Sequence, residues 1–245
     1  MKRFGGKTVY GASLGILMLE TRFPRIPGDI GNASTWPFPV LYQVVPGASP
    51  DLVVRRNAEG LIDAFIEAGK NLIDQGADGI ATNCGFLSIF QDDLSVQLSV
   101  PVASSSLMQV GQIRRVLPPS KRPGILTVSS STLSEDHLRA AGVPPDTPVE
   151  GTERGSEFSR VFLDNEEEID IDLARADVLG AGRKLCKDNR DIGAIVLECT
   201  NMVPFAADLR KALGLPVFSI FTFLQWFQAG LLPRRFSYDL DDSRI

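Results

Sequence analysis

Two cysteines, Cys84 and Cys199, each follow an apolar run and precede a stretch that reads as a helix. Their surroundings match. Gly79-Ile80 precedes Cys84 as Ala194-Ile195 precedes Cys199, and the pairs Pro101-Val102 and Pro216-Val217 follow the two cysteines at the same distance. Two thiols so placed suit proton transfer at carbon. A carbon acid α to a carboxylate is very weakly acidic, so removing its proton needs a positioned base, exclusion of water and stabilisation of an enolate-like intermediate. A thiolate on one face can take the proton while a thiol opposite returns one, and inverted configuration is the natural product.

The cysteines sit in small hydrogen-bonding clusters, Thr82-Asn83-Cys84-Gly85 and Glu198-Cys199-Thr200-Asn201. Each cluster opens a helix, whose unpaired N–H groups and positive dipole end can hold a carboxylate and lower a thiol pKa toward neutrality. Thr200 or Asn201 can equally serve as a cap, with Pro204 in the first turn. Cys186, between Lys184-Leu185 and Lys187-Asp188, reads as a small buried hydrophobe in mid-helix.

Positioning these clusters falls to alternating strands and helices. Leu14–Leu19 is a continuous apolar run suited to a strand covered on both faces. A long loop from Glu20 to about Phe38 follows, then a strand over Val40–Val45. Ile62, Phe65, Ile66, Leu72 and Ile73 fall at helical spacing, with Gly76 as a C-terminal cap. Asp78–Thr82, a helix from about Leu87 to Leu98 and Val100–Ser104 complete a βαβαβ order. The second half repeats it with a strand at Gly124–Val128, a short helix from Ser134 to Gly142 and a longer helix over Glu166–Asp188. A strand at Ile192–Leu197, a helix at about Val203–Leu213 and a strand at Val217–Ile220 follow. Glu166-Glu167-Glu168 reads as a solvated first turn, and Pro144–Glu157 as a loop or edge excursion. Such alternation implies parallel sheets, whose ligands bind beyond the carboxyl ends of the strands, where both cysteines lie.

The bulk numbers narrow the partners. With 245 residues, 44% of them hydrophobic, the chain can bury one large α/β core or two lobes, and the duplication favours two. A net charge of −5, with basic residues only in pairs such as Arg55-Arg56, Arg114-Arg115 and Arg234-Arg235, argues against nucleic acid. Three cysteines and one histidine make no common zinc set, and a sparse, odd cysteine count fits a reducing compartment, the cytoplasm by default. The run Val9–Leu19 behind Met1-Lys2-Arg3 imitates a secretory leader, but Glu20-Thr21-Arg22 follows it with no cleavage site. Pro216–Leu232 is interrupted by Gln225 and Gln228 and is shorter than the roughly 20 residues of a spanning helix. Both segments read as buried core, with no membrane partner.

At the two cysteine clusters the chain resembles the aspartate/glutamate/hydantoin racemase superfamily, which also contains maleate isomerases and arylmalonate decarboxylases. The resemblance is strongest at Glu198-Cys199-Thr200-Asn201-Met202-Val203-Pro204 and at Thr82-Asn83-Cys84-Gly85. It implies an α/β fold of two pseudo-symmetric, Rossmann-like lobes with parallel sheets and a cleft between them. Residues 1–103 plus about 216–245 would form the first lobe and 104–215 the second. It further implies chemistry without cofactor or metal, Cys84 and Cys199 as the catalytic base and acid, and a small carboxylate substrate. Asn83, Thr200 and Thr82 would hold that carboxylate, beside Gly85 and Asn201. Glutamate racemases carry an Asn-Thr pair after the first cysteine and a histidine after the second Cys-Thr; here Gly85 and Asn201 stand there, and Glu20-Thr21 only approximates their acidic loop. Arg25, with Arg22, is a candidate for a second carboxylate, and Asp29, with Asn32, for the cleft or for a turn. His137 is assigned to a helix surface.

The expected activity is cofactor-independent racemisation or epimerisation of an amino acid or related carboxylate. The alternatives are a cysteine-dependent isomerase or decarboxylase, and a small-molecule binding protein without turnover. Monomer and homodimer both remain open.

Overall fold

In the computed structural model, which describes residues 2–236, Leu14–Leu19 forms β1, buried along its whole length. Val40–Val45 (β2) pairs with it in parallel. The amphipathic helix α1 (Ile62–Gln75) then packs Phe65, Ala68 and Leu72 onto the sheet and stops at Gly76, whose N–H bonds the carbonyls of Leu72 and Ile73. Gly79–Thr82 (β3) pairs on the other side of β1. Helix α2 (Gln91–Gln97) leads to the short strand β4 (Val102–Ala103), and the sheet order is β2-β1-β3-β4, all parallel.

Helix α3 (Val110–Val116) carries the chain to β5 (Arg122–Thr127). Then come α4 (Glu135–Ala140), β6 (Val149–Gly151), α5 (Phe158–Asp164), α6 (Ile171–Asp188), β7 (Ile192–Leu197), α7 (Ala206–Leu213), β8 (Val217–Phe218) and α8 (Ile220–Leu231). The second sheet runs β6-β5-β7-β8, again all parallel, in the same order as the first. The two-lobed α/β architecture is thus a duplication of one four-stranded unit.

The lobes exchange helices. After β4 the chain crosses so that α3 packs against β5, and after β8 it crosses back so that α8 packs against β3. Ile220, Phe223 and Leu224 of α8 share a core with Leu14 and Ile16 of β1. The lobe assignment from about 216 is therefore corrected: Val217–Phe218 pairs with β7 and belongs to the second sheet, and only α8 returns to the first. Ser219 makes the break by capping α8 in a reciprocal box with Thr222. Residues 237–245, included in that assignment, lie outside the described residues, as does Met1.

Two stretches fold more than their composition suggests. The segment read as an edge excursion supplies β6, a three-residue edge strand too short for alternation to show. Helix α5 stands ahead of the charge run, with Phe158, Val161, Phe162 and Leu163 buried, and Asn165 ends it in the left-handed region at φ 57°. Glu166-Glu167-Glu168 is accordingly a linker between α5 and α6 rather than a helical turn, and α6 begins only after Asp170, whose carboxylate caps Asp172 and Leu173. None of the described helices is long and apolar enough to cross a membrane.

Candidate active site

Both cysteines end the extended backbone that follows an inner strand. Cys84 (φ −142°, ψ 123°) and Cys199 (φ −71°, ψ 124°) each lead into a 3-10 segment, Gly85–Phe90 and Thr200–Phe205, which winds on into α2 and α7. The helices expected from Leu87 and Val203 thus start earlier, as tighter turns. Because β3 and β7 are equivalent strands of the duplicated unit, the two thiols meet between the lobes. Both are free and line one cavity of about 30 Å³. Its apolar wall comes from both lobes, with Phe23, Val54 and Phe86 on one side and Val128, Phe162 and Leu163 on the other.

Asn83, Gly85, Thr200 and Asn201 also line this cavity. Asn83 and Thr200 stitch the two cysteine segments together, since the Thr200 hydroxyl donates to the Asn83 carbonyl at 2.6 Å while Asn83 Oδ1 accepts the Leu19 amide at 2.8 Å. Thr82, Glu20, Arg25 and Asp29 stand outside the wall. The Thr82 hydroxyl is buried and donates to the carbonyls of Ser104 and Cys84, fixing the backbone of the first cysteine. Glu20 is exposed and accepts the Gly47 amide, tying β1 to the loop after β2.

Arg25 and Asp29 are occupied with each other, the guanidinium donating to Asp29 Oδ1 at 2.7 Å. The second Asp29 oxygen accepts from Asn201 Nδ2 at 2.6 Å. That bond sets the orientation of the Asn201 amide, because only its nitrogen can donate to a carboxylate. Oδ1 must then face Cys199, whose Sγ lies 3.6 Å away and donates to it. Loop and cysteine segment are also in direct contact: Gly28 (φ 100°) packs on Pro204, and a Cβ there would lie 3.2 Å from the Pro204 Cα. The loop from Glu20 therefore holds Cys199 as a thiol through Asp29 and Asn201.

The electrostatics overturn one expectation. Burial pushes the Cys84 thiol up to about 12, with Glu198 the next contributor, although the amides of Phe86 and Leu87 pull the other way. Cys199 is raised well above the usual thiol range by the same two causes in the same order. The dipole ends of two short 3-10 segments do not offset the loss of water and a neighbouring carboxylate. Both thiols are therefore protonated at neutral pH.

Glu198 lines the same cavity and was not among the candidate site residues. It is fully buried. One carboxylate oxygen accepts the Thr127 hydroxyl at 2.7 Å, while Oε1 has no hydrogen-bond partner among the described residues. Burial raises its pKa to about 7. Gly85 makes the room, since a Cβ there would fall 2.2 Å from Glu198 Oε1. The sequence signal was a glutamate directly behind the wholly apolar run Ile195–Leu197.

His137 corrects another expectation. It is buried rather than on a helix surface, because its ring closes the cap of α4 with Ser134 (Oγ to Nδ1, 2.7 Å) and meets Phe86 edge-on at 5.2 Å. Among the described residues, no three His, Cys, Asp or Glu side chains gather where they could hold a metal ion.

Residues 54–224 match the family profile described as Asp/Glu/Hydantoin racemase, a span that includes both cysteine segments. The chain belongs to this family. Among curated relatives of this racemase-family chain, a dimethylsulfoniopropionate lyase from Durusdinium sp. clade D is 26% identical over 229 residues, covering 90% of this chain and 75% of that protein. Dimethylsulfoniopropionate lyase 7 of Emiliania huxleyi is 29% identical over 231 residues, covering 90% and 67%. Both relatives extend beyond the part this chain matches. Among solved structures, the allantoin racemase from Klebsiella pneumoniae superposes with a TM-score of 0.60 at 18% identity over 94% of this chain and 97% of that one, a likeness of fold.

Proposed function

We propose that this protein removes a proton α to a carboxylate inside the cavity between the lobes, and that the outcome is β-elimination from a small carboxylate with a good leaving group, dimethylsulfoniopropionate being the first to test. The observation carrying this reading is the unequal hydrogen bonding around two equivalently placed thiols. Cys199 donates to an Asn201 oxygen locked in place by Asp29, which favours the protonated thiol. Both thiols feel backbone amides that favour a thiolate, Cys84 those of Phe86 and Leu87 together with the charge of Arg25, Cys199 that of Asn201 alone. Cys84 is accordingly the base. Once the thiol has given its proton to water, the thiolate takes the α-proton, the C–H electron pair becomes the new C=C bond, the Cβ–S bond breaks with its pair staying on sulfur, and dimethyl sulfide and acrylate leave. Elimination needs one base only, and the lyase relatives support this outcome.

The second reading is racemisation, favoured by the equivalent placement of Cys84 and Cys199 after β3 and β7. One experiment separates them. Incubation with dimethylsulfoniopropionate, and separately with a panel of chiral amino acids and hydantoins in deuterium oxide, is followed for dimethyl sulfide, acrylate, α-deuterium and optical rotation. Dimethyl sulfide with acrylate is the expected result. α-Exchange with loss of optical activity and no dimethyl sulfide makes the protein a racemase instead, and no turnover of any kind removes both readings.

A further inference from the structure

The duplication supplies an internal control for Glu198. The same interval along the chain separates Asn83 from Glu198, Cys84 from Cys199 and Val102 from Val217, so Asn83 and Glu198 are counterparts in the two lobes. Each accepts a hydrogen bond from the end of its own lobe's first strand. Asn83 takes the Leu19 amide and Glu198 the Thr127 hydroxyl. A neutral amide therefore suffices for the structural task. Glu198 nevertheless spends a buried carboxylate on it and leaves Oε1 without a partner. Burying an uncompensated charge is costly. Gly85 has no Cβ where that oxygen sits. Among the described residues no arginine, lysine or histidine lines the cavity that Glu198 shares with both thiols, whereas Phe23, Phe86 and Phe162 do.

We infer that Glu198 recognises a positively charged substituent on the substrate, so that the cavity selects small onium carboxylates, with a sulfonium or ammonium group beside Glu198 Oε1. This rests on the reading of the cavity as a carboxylate site and names its substrate class. Aromatic faces add to the attraction for a desolvated cation. The arrangement also couples binding to chemistry. Glu198 is one of the groups that hold both thiols protonated, and a cation beside it cancels that influence. A bound cation thus lowers the Cys84 pKa, while burial, the larger cause of its rise, still acts. The substrate carboxylate must sit away from Glu198, toward the amide ends of the two 3-10 segments.

The test uses the full chain carrying Cys84→Ser, which binds without turning over, with and without Glu198→Gln, a change that keeps the volume and the acceptor for Thr127. Dimethylsulfoniopropionate and 4-methylpentanoate, the isosteric carboxylate that lacks its sulfonium charge, are titrated by calorimetry at pH 8. With Glu198 present the onium compound is expected to bind at least roughly tenfold more tightly than the isostere, and to the Glu198→Gln protein the two should bind alike. Equal binding of the two ligands to the protein that retains Glu198, or a preference that survives Glu198→Gln, overturns the inference while leaving the carboxylate reading intact. Binding of neither ligand overturns both. Circular dichroism and melting of each variant establish that the proteins compared are folded.

Discussion

Phe23 and Phe162, one from each lobe, meet edge to face with ring centroids 4.8 Å apart in the wall of the cavity that holds the two thiols. A cavity of about 30 Å³ has room for one or two waters. A carboxylate substrate needs more room than this, so the cavity lining must give way on binding. Two exposed contacts hold the lobes together at this point: Arg22 with Glu167 and Asn165, and Arg55 with Asp164 at 2.8 Å. Each exposed ion pair is worth up to about 1 kcal/mol, so the double variant Arg22→Ala with Arg55→Ala should open the cavity roughly five- to twentyfold more often. The measurement is the rate of Cys84 alkylation by iodoacetamide near pH 8. An unchanged rate would show that the latch does not govern access.

Glu198 should make stability depend on pH in a direction opposite to most carboxylates. Its folded pKa is raised from 4.5 to about 7 by burial. Between those values the folded chain binds more protons than the unfolded one, so stability is full below about pH 4.5 and falls as pH rises through 7. The loss amounts to about 3 kcal/mol at alkaline pH. Glu198→Gln removes this term, and its stability relative to wild type in urea titrations should rise between pH 5 and pH 8. A difference that is flat across that range contradicts an ionising Glu198.

The duplication was legible because Cys84 and Cys199 carry matching strand ends at the same distances, and this alone implied two lobes and a shared site. The helix exchange was not legible in the periodicity, since α3 and α8 look the same in sequence whichever sheet they cover; the return of the chain to the first lobe from about 216 came with the family resemblance alone, and the packing of Ile220 and Phe223 against Leu14 and Ile16 is what makes the crossing. Arg25 read as a candidate for a second substrate carboxylate and Asp29 as a cleft or turn residue, yet the two pair with each other and reach the site through Asn201. The direction of the thiol shifts was hidden for a similar reason. Helix ends can be read from the chain, but the burial of Glu198 beside both sulfurs depends on β3 and β7 being brought face to face.

Asp29→Asn should therefore act at a distance. It strands Arg25, only 13% exposed, without its carboxylate and frees the Asn201 amide to turn. Breaking a buried pair by removing one partner costs about 3 kcal/mol. Denaturant melts should show a loss of that order. Loss of no more than a few tenths of a kcal/mol would mean the pair is solvated in the folded chain.

The two cysteines should differ in what their loss does. A positioned general base contributes roughly 10² to 10⁴ in rate, so Cys84→Ala should lower elimination from dimethylsulfoniopropionate by that factor. Cys199→Ala removes a thiol whose proton goes to an Asn201 oxygen in the resting site, and elimination does not require a second proton donor. That variant should keep elimination within about tenfold of wild type, whereas racemisation of any chiral substrate, which uses both faces, should fall roughly 10²- to 10⁴-fold in either variant. Initial rates of dimethyl sulfide release and of optical change decide between these patterns on the same protein samples. Equal collapse of elimination in both variants would make Cys199 a participant in that reaction and reverse the assignment of Cys84 as its sole base.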